Sequence, residues 1–300
     1  MKKYQNPIIT TSSDGRTSDP YVLRYSGKYY HCYSKRDGVY LSVSEELADI
    51  GDAKETKVFD APLEGIGSGW FAPELHRIDG KWYIYGAPQF DERGRHGMEV
   101  LKYQGDNPIG MYLSQGKVRG VNDGWSIDGT ILEHNGKLYF VWTSIREIYI
   151  SEMENPTKLS LKRTTLTKPE FPFETKTKVL VNEGPAILKH NGKIHLVYSA
   201  NDSKTDEYCL GLLSYVGGDI TDASNWAKSE NAVFEKTDDV FGPGHCSFTT
   251  VTENGEDTDY IVYHANLESG SGWGGRSVWI QPIGWDKNDM PLFGKPRIYS

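Results

Sequence analysis

Three acidic residues stand in similar settings far apart in the chain: Asp19 in SDPYV, Asp128 in IDGTIL and Glu183 in NEGPAIL. Each is followed at once by Pro or Gly and then by an apolar run. A trio of carboxylates can divide acid–base work. One, held protonated, gives its proton to a leaving oxygen, while a second acts on the carbon under attack, directly or through water. A third nearby raises the pKa of the acid by like-charge repulsion. Hydrolysis of a glycosidic bond uses such a set. Any one of these residues alone reads as a turn acid at the start of a strand. Three of them become a site only if the fold brings them together.

A recurrent unit supplies the means. It reads SGKYYHCYS from Ser26, DGKWYIYGA from Asp79, NGKLYFVWT from Asn135 and NGKIHLVYS from Asn191, with a looser copy, NGEDTDYIVYHA, from Asn254. Asx-Gly between two β-rich runs is a strong hairpin signal, because a type I′ turn needs positive φ at both central residues. The turn glycines Gly27, Gly80, Gly136, Gly192 and Gly255 are separated by 53, 56, 56 and 63 residues. A period of this length, filled with short strands, marks propeller blades. Five such units account for the 300 residues. The expectation is therefore an all-β, five-bladed β-propeller forming a single domain over residues 1–300. SVSEELADIG from Ser42 holds one helical turn at most.

Regular hairpins would also suit a β-sandwich. The segment ahead of each turn favours the propeller. Eight residues before each glycine the chain reads Asp19, Ala72, Asp128, Gly184 and Ser247, each next to a small residue or Pro and ahead of an apolar run. Matching positions on five blades meet near the propeller axis. The repeat thus places Asp19, Asp128 and Glu183 in register on blades one, three and four.

Composition narrows the partners. The chain carries 33 Lys+Arg against 41 Asp+Glu, a net charge of -8 with no basic cluster, which argues against nucleic acid. Apolar runs stay well below membrane-span length, so no membrane partner is expected. Aromatic content is 12%, which suits both sugar-binding clefts and β cores. Cys32, Cys209 and Cys246 are odd in number, widely spaced and without a CxxC pattern, and read as buried free thiols. Two lysines follow Met1 without an apolar stretch behind them, so the chain is expected to be cytoplasmic unless a leader was removed. Nothing in the sequence sets an oligomeric state.

The ordered set TSDPYV, WFAPELHRIDGKWYIY, WSIDGTILEHNGKLYFVW, VNEGPAILKHNGKIHLVYSA, FGPGHCSF and VWIQPIGWD resembles glycoside hydrolase family 43, and within it the exo-acting α-L-arabinofuranosidases. The resemblance spans nearly the whole chain. It implies a five-bladed propeller, an oligo- or polysaccharide substrate and an inverting mechanism. On the family's pattern Asp19 is the general base that activates water, Glu183 is the general acid, and Asp128 tunes and orients Glu183. An inverting pair stands about 6.5–9.5 Å apart, and that separation is expected for Asp19 and Glu183. The enzyme alternatives are a β-xylosidase or another exo-glycosidase of the family; the lack of a following β-sandwich favours the arabinofuranosidase. A non-catalytic glycan-binding propeller is the reading from another class.

The resemblance also implies several binding residues. His245 in GPGHCSF would lie at the pocket floor, against a water or a metal. Relatives often hold calcium in the central channel, but calcium prefers oxygen ligands, so His245 would reach it only through water. No cofactor is required. Arg276 would stand near the terminal sugar and donate to ring hydroxyls. Trp70 or Phe71 would form an aromatic wall, Phe71 occupying the place where the family usually has Trp. Glu74, His76 and Trp125 read as structural, and Asp37 as a hairpin acid. Glu268–Arg276, glycine-rich, reads as a flexible rim loop with Trp273 available for stacking.

Overall fold

The computed structural model describes residues 4–11, 15–61, 69–121, 124–160 and 162–298. Each of the five Xaa-Gly pairs forms the two-residue turn its sequence demands. Ser26-Gly27, Asp79-Gly80, Asn135-Gly136, Asn191-Gly192 and Asn254-Gly255 all have positive φ at both positions. Each turn joins the first and second strands of an antiparallel sheet.

The first sheet runs Tyr21–Tyr25, Lys28–Lys35, Gly38–Ser44 and Glu55–Asp60, in chain order. The second runs Phe71–Ile78, Lys81–Ala87, Glu99–Tyr103 and Leu113–Lys117. The third comprises Ser126–His134, Lys137–Ser144, Glu147–Asn155 and Lys158–Leu159, with Thr164–Thr167 also pairing to its third strand. The fourth comprises Asn182–His190, Lys193–Ala200, Cys209–Tyr215 and Trp226–Lys228. The fifth has Phe241–Glu253, Glu256–Asn266 and Ser277–Pro282. Its outer edge is covered from the other end of the chain, because Ile9 bridges Val278. This contact closes the ring. Leu47–Asp49, inside SVSEELADIG, makes a single 3-10 turn.

The first strand of each sheet lies against the first strands of both neighbours, around a common axis. The core is correspondingly divided into five clusters, one at each junction between blades. Between blades one and two, for example, Cys32, Leu41 and Phe59 pack on Trp70, Leu75 and Trp82. Between blades five and one, Val22 and Tyr29 meet Val262 and Val278. Burying one such side chain contributes roughly 1.5–3 kcal/mol, so the ring is held by many similar junctions and not by one centre. The three cysteines are free and buried.

Candidate active site

The inner strands begin with a second set of left-handed residues, at the end opposite the hairpins. These are Asp19 (φ 51), Ala72 (φ 40), Asp128 (φ 56), Gly184 (φ 57) and His245 (φ 44). In four blades they fall eight residues before the turn glycine. In blade five the position is His245, two residues earlier than Ser247. Its first strand is 13 residues long and pairs with an 11-residue second strand, and the in-register ladder from Ser247 to the turn is two residues longer on each strand than in blade four.

The same geometry corrects the placement of Glu183. The position in register with Asp19 and Asp128 is Gly184, and Glu183 precedes it. Across the sheets Glu183 pairs with Ser199 as Phe71 pairs with Ala87, Ile127 with Thr143 and Gly244 with His264. Glu183 therefore occupies the place that Phe71 and Ile127 hold on their blades, on the wall of the cavity. Asp128 sits deeper, only 5% exposed. A side chain at Gly184 would crowd the site: its Cβ would lie 3.1–3.3 Å from the His245 ring, which would have to give way, on a backbone that glycine tolerates best.

Backbone N–H groups at these positions are held by the preceding blade. Gly184 donates to Asp128 Oδ2 (3.0 Å), His245 to Ser199 Oγ (2.8 Å) and Asp19 to His264 Nδ1 (3.2 Å). The fold thus fixes the carboxylates from both sides. They converge on a cavity of about 430 Å³, lined by Asp19, Asp128, Glu183 and His245, with Phe71, Trp125 and Trp273 among its walls.

Asp19 Oδ1 receives Arg276 Nη1 at 3.1 Å and faces His245 Nδ1 at 3.2 Å. Burial opposes a charge on His245, but Asp19, Asp128 and Glu183 overcome it and raise its pKa. His264 is different. Its Nδ1 accepts the Asp19 N–H, and burial, Arg276 and His245 together push its pKa well down, so it is neutral and forms no ion pair with Asp19. Burial is also the first cause that raises Asp128, with Glu183 and Asp19 adding to it. It likewise leads in raising Glu183, where Asp19 supplies the added repulsion and His245 and a Tyr208 hydrogen bond oppose it. Desolvation, more than the like-charge repulsion expected from sequence, makes these carboxyl groups reluctant to ionise. They titrate as a linked set.

The expected binding residues are sorted by the structure. Phe71 is the aromatic wall: it is 38% exposed and stacks on His96 at 3.8 Å. Trp70 touches the cavity but is 2% exposed and packs edge-on against Phe59, so it belongs mainly to the core. Arg276 lines the cavity. It is buried, and its guanidinium is committed to Asp19 and to the Ser203 carbonyl (3.3 Å). Glu74 and His76 pair with each other, as structural residues would (2.9 Å). Trp125 borders the cavity despite its structural reading. Asp37 sits at the turn between the second and third strands of blade one and pairs with Lys57.

The rim loop is more ordered than its glycines imply. Gly272–Gly275 forms a 3-10 turn, Ser269 and Gly270 donate to Asp206, and Trp273 Nε1 donates to Ser203 Oγ (3.0 Å). Trp273 remains 51% exposed. Two site residues escaped sequence reasoning altogether. Tyr208 donates its O–H to Glu183 Oε1 (2.9 Å), and His264 lies between Tyr208 and Asp19. Tyr208 lies outside every repeated motif, and His264 stands near the end of the loosest copy, where nothing in the sequence sets it apart.

Among the described residues no group of three or more His, Cys, Asp and Glu side chains is arranged to hold a metal. A directly bound calcium does not suit the axial donors, since His245 offers nitrogen, already facing Asp19, and the Arg276 cation stands on the same carboxylate.

A five-bladed propeller with carboxyl groups from three blades in one cavity defines a class of sugar-cleaving folds. The chain belongs to glycosyl hydrolases family 43, whose model matches residues 4–291. It is 33% identical to the extracellular exo-α-(1→5)-L-arabinofuranosidase of Streptomyces avermitilis, over 98% of this chain and 63% of that protein. It is 36% identical to the protein of the same name from Streptomyces chartreusis, over 87% of this chain and 82% of the relative. The crystal structure of an α-L-arabinofuranosidase from Lactobacillus brevis matches with a TM-score of 0.87 at 34% identity, covering 99% of this chain and 98% of that one. The chain thus spans less than two thirds of the Streptomyces avermitilis relative. Both Streptomyces proteins are named extracellular, which overturns the expectation of a cytoplasmic location.

Proposed function

We propose that this protein is an inverting exo-α-L-arabinofuranosidase that releases terminal arabinose from arabinan, arabinoxylan or their oligosaccharides, with residues 1–300 acting as one catalytic domain. The observation that carries the reading is the convergence of Asp19, Asp128 and Glu183 on one cavity. The names of the similar proteins support the choice of sugar.

In this reading Asp19 is the general base. Arg276 and His245 occupy its Oδ1, leaving Oδ2 to take a proton from water as the water oxygen bonds to the anomeric carbon. Glu183 is the general acid, and its proton passes to the leaving oxygen, which keeps the electron pair of the broken bond. Burial keeps that proton on Glu183 to higher pH than an ordinary carboxyl group would. Asp128, whose Oδ2 holds the Gly184 N–H, orients the Glu183 backbone and shares the titration. Phe71 and Trp273 offer apolar faces to the substrate. Inversion requires room for water between Asp19 and Glu183, about 6.5–9.5 Å of carboxyl separation.

A panel of 4-nitrophenyl glycosides tests the proposal. Release from the α-L-arabinofuranoside but not the β-D-xyloside is the expected result. Preference for the xyloside would move the reading to a β-xylosidase, and activity on no glycoside by the folded protein would sink it.

A further inference from the structure

Tyr208 ends the loop between the second and third strands of blade four, and its side chain is only 1% exposed. A tyrosine buried this deeply needs a partner for its hydroxyl. It has one in Glu183 Oε1, at 2.9 Å. The ring itself is closely packed. His264 lies parallel to it, with 8° between the planes and 5.7 Å between centroids. Gly244 also packs against the ring: a Cβ there would come within 2.3 Å of both Cδ1 and Cε1. Gly244 has an ordinary φ, so its need for glycine is the approach of this ring and not backbone conformation. The neighbouring groups are themselves tied in, since His264 accepts the Asp19 N–H and the residue after Gly244 donates to Ser199.

We propose that Tyr208 is a positioning residue for the Glu183 carboxyl group, clamped between Gly244 and His264 so that its O–H always occupies Oε1 and leaves Oε2 to carry the transferable proton into the cavity. The proposal rests on the reading of Glu183 as general acid. A carboxyl group buried without such a partner could rotate and present its proton on either oxygen. With Oε1 taken, one oxygen faces the substrate. As the proton leaves Oε2 for the departing oxygen, the Tyr208 hydrogen bond becomes charge-assisted and stabilises the new carboxylate. Tyr208 keeps its own proton throughout, because burial and the nearby Glu183 raise its pKa well above the usual phenol range.

Tyr208→Phe keeps the packed ring and removes the hydroxyl, with its bond to Glu183 and its contact with Ser199. Loss of a hydrogen bond to the charged form raises a carboxyl pKa. Carboxyl-carbon NMR, with the Glu183 signal assigned by its disappearance in Glu183→Gln, should show the Glu183 midpoint rising by about one pH unit in Tyr208→Phe. The alkaline limb of kcat/KM should move up with it, and kcat on unactivated oligosaccharides should fall about 10-fold, the scale of an acid that is present but poorly aimed. Gly244→Ala, which pushes a methyl group onto the ring without touching any hydroxyl, should move the same limb in the same direction. An unchanged Glu183 midpoint in folded Tyr208→Phe overturns the proposal. A midpoint that rises while the alkaline limb stays in place keeps the clamp but removes Glu183 as the acid. Full activity in Glu183→Gln overturns the functional reading and leaves the NMR result standing on its own.

Discussion

Each innermost strand has left-handed backbone at both ends, and the two ends use it differently. At the hairpin end the residues are nearly uniform, Ser, Asp or Asn followed by Gly, and a Cβ added to any of the five glycines would meet nothing within 4 Å. There the positive φ serves only to reverse the chain. At the cavity end the five residues are Asp19, Ala72, Asp128, Gly184 and His245, all different in chemistry except the two aspartates. Four are not glycine, although left-handed conformation costs an L-residue roughly 1–2 kcal/mol. Uniform strain marks a turn; strain with divergent, buried, charged side chains marks a site. Stability and chemistry should therefore come apart when the two ends are altered.

The largest effect is expected at the cavity wall. Glu183→Gln or Asp19→Asn should lower kcat about 10²–10⁴-fold while the melting temperature holds, measured on an α-L-arabinofuranoside substrate. A comparable loss of stability would make these residues structural and dissolve the contrast. Gly184→Ala should come next. Its methyl group would strike the His245 ring on a backbone at φ 57, shifting Glu183, and displacement of this kind costs about 10²-fold in rate.

Asp128→Asn gives the clearest separation of the two properties. Burial raises Asp128 to about 8, far above its unfolded value. A raised carboxyl group favours the fold while protonated, so its contribution is fully present in acid and is lost as pH rises towards that value. Asparagine never ionises. Asp128→Asn should therefore lose activity yet melt higher than the parent chain near pH 9, with the difference vanishing near pH 4. Melting curves across that range check the sign. The smallest effect belongs to the hairpin end: Gly136→Ala, at φ 71 with open space around it, should cost about 1–2 kcal/mol in denaturant unfolding and leave kcat/KM unchanged.

The same contrast explains what could be read from sequence. The hairpins were legible because an I′ turn admits few residue pairs, and their spacing exposed the five blades. The cavity end was legible only as a distance from those turns. That ruler located Asp19, Ala72, Asp128 and Gly184 directly. It missed His245 by two residues, because the hairpin of blade five is two residues longer on each strand than that of blade four. It also placed Glu183 in register when Gly184 holds that position. Arg276 could be found, but its partner could not: the spacing along the chain says nothing of a guanidinium turned inward to Asp19. Tyr208 gave no signal, since one tyrosine among 19, in a loop outside the repeat, looks like any other until the fold sets it against Gly244.

Asp19 and Glu183, carried to one cavity by different blades, are proposed to act on opposite sides of a single bond with a water between them. Proton NMR of the first sugar released from 4-nitrophenyl α-L-arabinofuranoside tests it most directly. β-Arabinofuranose should form first and only later equilibrate with the α-anomer. Initial release of the α-anomer would mean retention through a covalent intermediate, and would contradict it.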